Sequence, residues 1–167
     1  MYRIPFFKTT VTGKENHPVQ AFLNDTDGAI AQQQHTACVT WMQAHHNLKN
    51  FFFTKSCTQA LELAALVIGI KPGDEVIMPS YAFVACANAF AIRGASCVFV
   101  DISPETMNLD VARIEEAITS KTKAIVTLNY AGISPDYFAL RKLADTYNLL
   151  IIEDNAHGID SKWENLN

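Results

Sequence analysis

A carboxylate follows the last apolar run of this chain. Asp154 comes directly after the run 149–152 and Glu153, so a buried strand would carry the carboxylate at its carboxyl end. In open α/β sheets, ligands bind at that edge. There Asp154 could accept a charge-assisted hydrogen bond from a protonated ring nitrogen, or it could simply cap the next turn. His157 could bind the same ligand or be an ordinary surface histidine.

Two segments far upstream could complete a site with Asp154. The segment 56–58 lies between a short apolar run and a helical pattern, where backbone N–H groups and hydroxyls suit a phosphate. The alternative is plain helix capping by Ser56 with Gln59, since no glycine-rich cradle is present. Phe83 follows an apolar run and could stack on a flat ring or be a core residue. A phosphorylated aromatic heterocycle would satisfy the donors, the aromatic face and the acid together.

Strands and helices alternate from residue 50 onward. Five strands joined by four helices predict an α/β fold, a three-layer, mostly parallel sheet with helices on both faces and all strand carboxyl ends at one edge. Residues 1–49 form a separate helical or irregular segment, with a helix over 36–47. The predicted strands are 51–53, 76–78, 97–100, 124–128 and 149–152, and the predicted helices are 57–68, 84–92, 111–118 and 135–147, the last with Pro135 at its first position.

Composition narrows the class of protein. The chain has 167 residues, 49% of them hydrophobic and 18% charged, which suits a buried core. Its net charge of −4 and lack of a basic run argue against nucleic acid as a partner. No apolar stretch reaches the roughly 18–20 residues that cross a bilayer, and none near the start has signal-peptide length. The four cysteines lack CxxC spacing, which predicts free thiols in the cytoplasm and no metal site.

The stretch from about residue 53 to 162 resembles the DegT/DnrJ/EryC1/StrS family of sugar aminotransferases. This family uses pyridoxal phosphate (PLP) on the aspartate-aminotransferase fold, fold type I. The likeness is closest to enzymes that aminate dTDP-4-keto-6-deoxyhexoses, of the kind used for enterobacterial common antigen and O-antigen sugars. GDEVIMPSY is its most specific block, and four segments carry it in family order: 56–62, 69–84, 94–101 and 152–158.

The resemblance implies a role for each candidate residue. Asp154 would pair with the pyridine nitrogen and keep the ring electron-poor. Phe83 would stack on the ring, and His157 would bond its phenolic oxygen. The phosphate would be held by the Thr58 hydroxyl and by three backbone amides, those of Cys57, Thr58 and Gln59. Position 155 more often carries a small residue in the family than the asparagine found here.

The lysine that forms the Schiff base lies in a Ser-Phe-x-x-x-Lys motif in the family. None of the nine lysines here has that context. We therefore expect residues 50–167 to be the N-terminal part of a PLP-binding large domain, without the C-terminal small domain and inactive alone. The full enzyme would move an amino group from glutamate to the 4-keto carbon of a nucleotide-linked deoxysugar, as a homodimer.

Three alternatives remain open from the sequence. The chain could be a non-catalytic module that binds PLP or a nucleotide sugar, or one subunit of a split-gene enzyme. It could also be another doubly wound, nucleotide-dependent enzyme. That third class would carry a glycine fingerprint after the first strand, and the segment 55–58 contains no glycine.

Overall fold

The computed structural model describes residues 8–161, which fall into two compact units. The first unit ends at Phe53 and the second begins at Thr54. The first unit contains helix α1, Asn16–Leu23, and helix α2, Ala29–His45. The helix predicted over 36–47 is therefore the second half of a longer one. The division predicted at residue 50, between an N-terminal segment and a PLP-binding part, stays a prediction.

The strand predicted over 51–53 is wrong. These three residues have no regular secondary structure. The rings of Phe51 and Phe53 pack edge to face with centroids 4.8 Å apart, and Phe52 is exposed. A run of aromatic residues becomes a strand only where a neighbouring strand accepts its backbone hydrogen bonds. Here the aromatic side chains pack on one another instead.

The second unit alternates strands and helices, as predicted. A short 3-10 turn, Val111–Arg113, leads into its third helix, and another, Tyr130–Gly132, follows its third strand. In chain order, the helices and strands are α3 Cys57–Val67, β1 Glu75–Pro79, α4 Val84–Ala91, β2 Ser96–Val100, α5 Ile114–Ala117, β3 Thr122–Leu128, α6 Tyr137–Tyr147 and β4 Leu150–Asp154.

These four strands form one parallel sheet in the order β2-β1-β3-β4. In register, Met78 of β1 lies beside Phe99 of β2, and Leu128 of β3 lies beside Asp154 of β4. The four carboxyl ends therefore share one edge, as predicted. The chain proceeds from β1 to β2 on one side and from β3 to β4 on the other, so the strand order reverses between β1 and β3. Ligands of open α/β sheets bind at this kind of point.

Helices cover both faces of the sheet, which confirms the three-layer prediction. On one face, α3 and α4 pack against β1 and β3 through Leu61, Phe90, Val76 and Val126. On the other face, α5 and α6 pack through a second cluster that includes Ile77, Ile114, Ile125 and Leu140. Successive strand residues point to opposite faces, so Val76 and Ile77 enter different cores. Each large apolar side chain fully buried in this way contributes about 1.5–3 kcal/mol.

Local residues determine where helices α3 and α6 begin and where α3 ends. Ser56 caps α3, because its Oγ accepts from Gln59 N at 3.2 Å, as predicted. Gly69, just past the end of α3, has a φ of +68°, which glycine adopts without strain. The prediction that Pro135 opens α6 is wrong. Asp136 is the N-cap, because its carboxylate accepts from Ala139 N at 3.0 Å and proline has no such acceptor.

Among the helices of residues 8–161, none combines the length and the apolar character that crossing a membrane requires.

Candidate cofactor site

Asp154 ends β4 as a buried carboxylate, only 6% exposed. Its Oδ1 accepts a hydrogen bond from Ala156 N at 3.2 Å, so it does cap the following turn. The same oxygen also accepts from Cys57 Sγ at 3.3 Å, which brings β4 and the start of α3 together. The carboxylate is therefore both a turn cap and a buried acceptor at the edge where ligands bind.

The first turn of α3 faces this carboxylate with unsatisfied donors. A helix leaves its first N–H groups without intrahelical partners. Ser56 satisfies the amide of Gln59, whereas no described residue accepts from the amides of Cys57 or Thr58. The side-chain oxygen of Gln59 is also engaged, since it accepts from Lys55 N at 3.1 Å. Two backbone donors and the partly buried Thr58 therefore stand at a helix N-terminus that favours an anion.

Helix α4 begins beside the same acid. Phe83 is its N-cap residue and is 74% exposed, so the alternative that Phe83 is a core residue is wrong. One turn later the amide of Cys86 donates to the carbonyl oxygen of Phe83 at 2.9 Å. Burial first, and the charge of Asp154 second, raise the pKa of the Cys86 thiol to about 12. Phe83 therefore presents an open aromatic face at the start of α4, and the charge of Asp154 acts on the first turn of the same helix.

His157 is held by the loop that follows β3. Its Nδ1 accepts a hydrogen bond from Ala131 N at 3.3 Å, so the neutral ring carries its proton on Nε2. Ala131 has a φ of +53°, an uncommon conformation for a residue with a Cβ. The ring of Tyr130 packs edge to face against His157, with centroids 5.5 Å apart. His157 is exposed, but its ring is oriented by these contacts and is available as an Nε2–H donor.

Two buried asparagines hold the loops of this edge. Asn129 donates to Glu153 Oε1 at 2.8 Å and to Asn155 Oδ1 at 3.2 Å, so it ties the end of β3 to the end of β4. Asn108, 1% exposed, accepts from Tyr130 N at 3.0 Å and donates to the carbonyl oxygen of Ile133 at 2.6 Å. No local sequence pattern indicates a role for Asn108. Its position in an irregular loop gives no local signal of contacts some twenty positions away.

The structure therefore joins some of the predicted site residues directly. Cys57 contacts Asp154, and Thr58 and Gln59 stand in the same helical turn as Cys57. Phe83 precedes the turn of α4 that contains Cys86, whose thiol is influenced by the charge of Asp154. His157 follows Asp154 by three residues in the chain. The assignment of these residues to PLP stays a prediction. The contacts that the sequence analysis missed are those made by side chains, above all the thiols of Cys57 and Cys86.

A cavity among the described residues lies elsewhere. It has a volume of about 720 Å³ and opens between α5, α6 and the loop after β2. Its wall includes Leu109, Glu115 and Lys142 and none of the six predicted cofactor residues. It lies on the face of the sheet that α5 and α6 cover, opposite the face on which Asp154 meets α3. A cavity of this size is therefore separate from the candidate site.

A family model matches residues 19–166, nearly the whole chain. The chain belongs to the DegT/DnrJ/EryC1/StrS aminotransferase family. This confirms the resemblance found in the sequence blocks. The parallel sheet and the acid at the end of β4 both lie within the matched residues.

Two similar proteins are named for nucleotide-linked sugars. GDP-perosamine synthase of Escherichia coli O157:H7 is 34% identical over 98% of this chain and 45% of its own length. UDP-4-amino-4-deoxy-L-arabinose–oxoglutarate aminotransferase of Shewanella sediminis is 39% identical over 72% of this chain and 31% of its own length. The chain therefore spans less than half the length of these two relatives.

A solved structure of the same kind supports the fold. The PLP form of the putative sugar aminotransferase Spr1654 from Streptococcus pneumoniae matches 95% of this chain and 44% of its own, with a TM-score of 0.84 and 28% identity. The predicted fold class, the large domain of a fold type I aminotransferase, is confirmed by such matches. The predicted cofactor, PLP, agrees with the form in which that relative was solved.

Proposed function

We propose that this chain binds PLP and forms the cofactor-binding part of an aminotransferase that acts on a nucleotide-linked keto-deoxysugar. The observation that carries the proposal is the buried carboxylate of Asp154 beside the open amides of the first turn of α3. An acceptor for a protonated ring nitrogen and a donor group for a phosphate stand at one edge of one sheet. These two groups fit the two polar ends of PLP.

Each residue has a distinct part in holding the cofactor. Asp154 accepts the hydrogen bond of the ring nitrogen, and its burial strengthens that bond because little water competes for it. The amides of Cys57, Thr58 and Gln59 and the Thr58 hydroxyl hold the phosphate at the helix N-terminus. The Gln59 amide already donates to Ser56 Oγ, so this amide is shared between Ser56 and the phosphate. Bound PLP supplies an electron sink at the substrate carbon.

The remaining two residues orient the ring. Phe83 lies open at the start of α4 and stacks on one face of the pyridine. His157 donates from Nε2 to the phenolic oxygen, because Ala131 N already occupies its Nδ1. An aromatic platform, an acid at one end and a donor at the side fix the ring in one orientation.

The substrate class comes from the relatives. Both curated relatives are named for nucleotide-linked sugars, one of them as an oxoglutarate aminotransferase, which supports glutamate as the amino donor. We propose that the enzyme is a homodimer in the cytoplasm, where its cysteines stay free thiols. None of the nine lysines stands in a Ser-Phe-x-x-x-Lys motif, so we propose that this chain binds PLP without a covalent bond. A second candidate function is that of a module that binds PLP or a nucleotide sugar without catalysis, or of a split-gene subunit.

Equilibrium binding of PLP to the purified 167-residue chain tests the proposal. Quenching of the intrinsic fluorescence by PLP gives the affinity of the wild type and of two variants. Asp154→Asn removes the charge that faces the ring nitrogen, and we expect it to weaken binding about tenfold or more. Asp101→Asn is the matched control, since Asp101 follows β2 and is exposed. Equal affinities for Asp154→Asn and the wild type, or no binding by the wild type, would overturn the proposal.

Borohydride reduction in the presence of PLP tests whether the chain holds the cofactor without a covalent bond. We expect no lysine to carry a PLP adduct when tryptic peptides are examined by mass spectrometry. Saturation-transfer NMR with GDP- and UDP-linked sugars then tests the substrate class, with free mannose as the control. A stoichiometric adduct on one lysine would contradict noncovalent binding and would assign a catalytic role to that lysine.

A further inference from the structure

The thiol of Cys57 meets the carboxylate of Asp154, and a second thiol, that of Cys86, lies in the neighbouring helix. Cys57, the first residue of α3, places its Sγ 3.3 Å from Oδ1 of Asp154, although 97 positions separate the two residues in the chain. Cys86 lies in the first turn of α4 and is 1% exposed. Burial first, and then the charge of Asp154, raise the pKa of this thiol. The carboxylate is therefore in contact with the first turn of α3, and its charge acts on the thiol of Cys86 in α4.

A cysteine beside this carboxylate must be a protonated thiol. A carboxylate accepts hydrogen bonds and has none to donate, so each neighbouring sulfur must keep its proton. Partial burial first, then the charge of Asp154 and the hydrogen bond to it, raise the pKa of Cys57 to about 11. At Cys86 burial comes first as well, and the nearby Cys57 and Cys97 add smaller contributions. At neutral pH both thiols therefore keep their protons, and the thiol of Cys57 donates to Asp154.

We propose that Cys57 is a positioning residue, which holds the Asp154 carboxylate beside the first turn of α3 so that it faces the ring nitrogen of the cofactor. The part that concerns the cofactor rests on the proposed function. A weak thiol donor fixes the direction of the carboxylate without neutralising it, and most of its acceptor strength is left for the charged N–H of a ring. Cys57 is the residue to substitute in the test, because it is at the surface and removing its thiol leaves no cavity in the core.

Alkylation of the cofactor-free chain tests the contact itself. Iodoacetamide reacts with thiolates, so the rate at a cysteine below its pKa follows its thiolate fraction. Asp154→Asn removes the negative charge beside Cys57, and we expect it to raise the alkylation rate there by roughly three- to tenfold. Peptide mass spectrometry reads Cys38 of the first unit in the same sample as an internal control, whose rate stays unchanged. An unchanged rate at Cys57 would overturn the proposed contact.

Affinity for PLP tests the positioning role. We expect Cys57→Ala to weaken PLP binding about three- to tenfold, the loss of one hydrogen bond that orients a charged group. Cys57→Ser keeps a donor and should stay within about twofold of the wild type, and Cys38→Ala should match the wild type. Thermal melts of all variants check that the fold is kept.

The outcomes separate this proposal from the proposed function. If the wild type binds PLP and Cys57→Ala binds it equally well, the positioning role fails and the function stands. If serine fails to restore what alanine loses, the thiol acts by packing and the donor role is wrong. If the wild type binds no PLP, the proposed function fails and the cofactor part of this proposal fails with it. The alkylation rates still decide whether the Cys57 thiol contacts Asp154.

Discussion

The phenolic oxygens of Tyr81 and Tyr130 lie 3.0 Å apart. Tyr81 follows β1 and Tyr130 follows β3, so this hydrogen bond spans the two strands between which the strand order reverses. Their rings also pack with centroids 5.1 Å apart, and Tyr130 contacts His157 in turn. The pair therefore links the point where ligands of such sheets bind to one of the predicted cofactor residues.

This hydrogen bond should be visible in the titration of the tyrosines. The hydrogen bond with Tyr81, and then the charge of Tyr81, raise the pKa of Tyr130. We expect Tyr81→Phe to lower the pKa of Tyr130, because both causes disappear with the hydroxyl. The phenolate absorbance followed in an alkaline titration of each variant measures it. Tyr147→Phe is the control, since Tyr147 bonds Glu115 instead, and its removal should leave the Tyr130 step in place. A Tyr130 step that does not move in Tyr81→Phe would contradict the contact.

The free energy of unfolding should fall in alkali because of the thiols of Cys86 and Cys57. The pKa of Cys86 is raised from 9.0 to about 12 and that of Cys57 from 9.0 to about 11. A raised pKa means that the folded state holds the proton more tightly, so the contribution is complete below pH 9.0 and is lost as pH rises through the folded values. Urea unfolding between pH 9 and pH 12 should give a falling free energy of unfolding.

Two variants identify the source of this pH dependence. Cys86→Ala should unfold more easily at neutral pH, because it removes buried apolar contacts, but its free energy of unfolding should change less with pH. Cys38→Ala, at an exposed cysteine, should keep the full dependence. An equally steep alkaline loss in Cys86→Ala would assign the dependence to other groups.

Asn108 should be among the most sensitive polar positions. Its one side chain bonds two backbone groups, Tyr130 N and the Ile133 carbonyl oxygen, from a site that is 1% exposed. We expect Asn108→Ala to cost about 2–4 kcal/mol in the free energy of unfolding, because both buried backbone groups lose their partner. Asn88→Ala, at an exposed position of α4, should change it by about 0.5 kcal/mol or less. Urea denaturation measures both, and equal losses would contradict the structural role of Asn108.

Local sequence rules predicted the frame of the site well. Asp154 was expected at the end of a strand because an apolar run precedes it, and Ser56 was expected to cap a helix because Gln59 follows three positions later. Each of these features depends on neighbours within a few residues. Parallel pairing could also be predicted, because helices separate the strands.

The rest of the site depends on contacts between distant segments. Nothing near Cys57 in the sequence indicates that its thiol meets Asp154, and nothing near Asn108 indicates a bond to Ile133. The wrong prediction of a strand at 51–53 also depends on a distant segment, in this case one that does not pair with it. Its composition favours a strand, but pairing requires a partner strand, and no local pattern reports whether one is present.

A side chain at position 158 should destabilise the protein, and a second substitution at Asn155 should restore part of that stability. Gly158 is buried, and a Cβ built there would overlap Oδ1 of Asn155 and lie 3.2 Å from Cβ of Asn129. We expect Gly158→Ala to cost about 1–3 kcal/mol, because Asn155 must move and lose its hydrogen bond with Asn129. Asn155→Ala in the same chain removes the overlapping oxygen, so the double variant should be more stable than the sum of the two single losses predicts. Urea unfolding of the four chains gives this coupling. Additive losses would mean that the obstruction lies with Asn129, which the Asn155 substitution leaves in place.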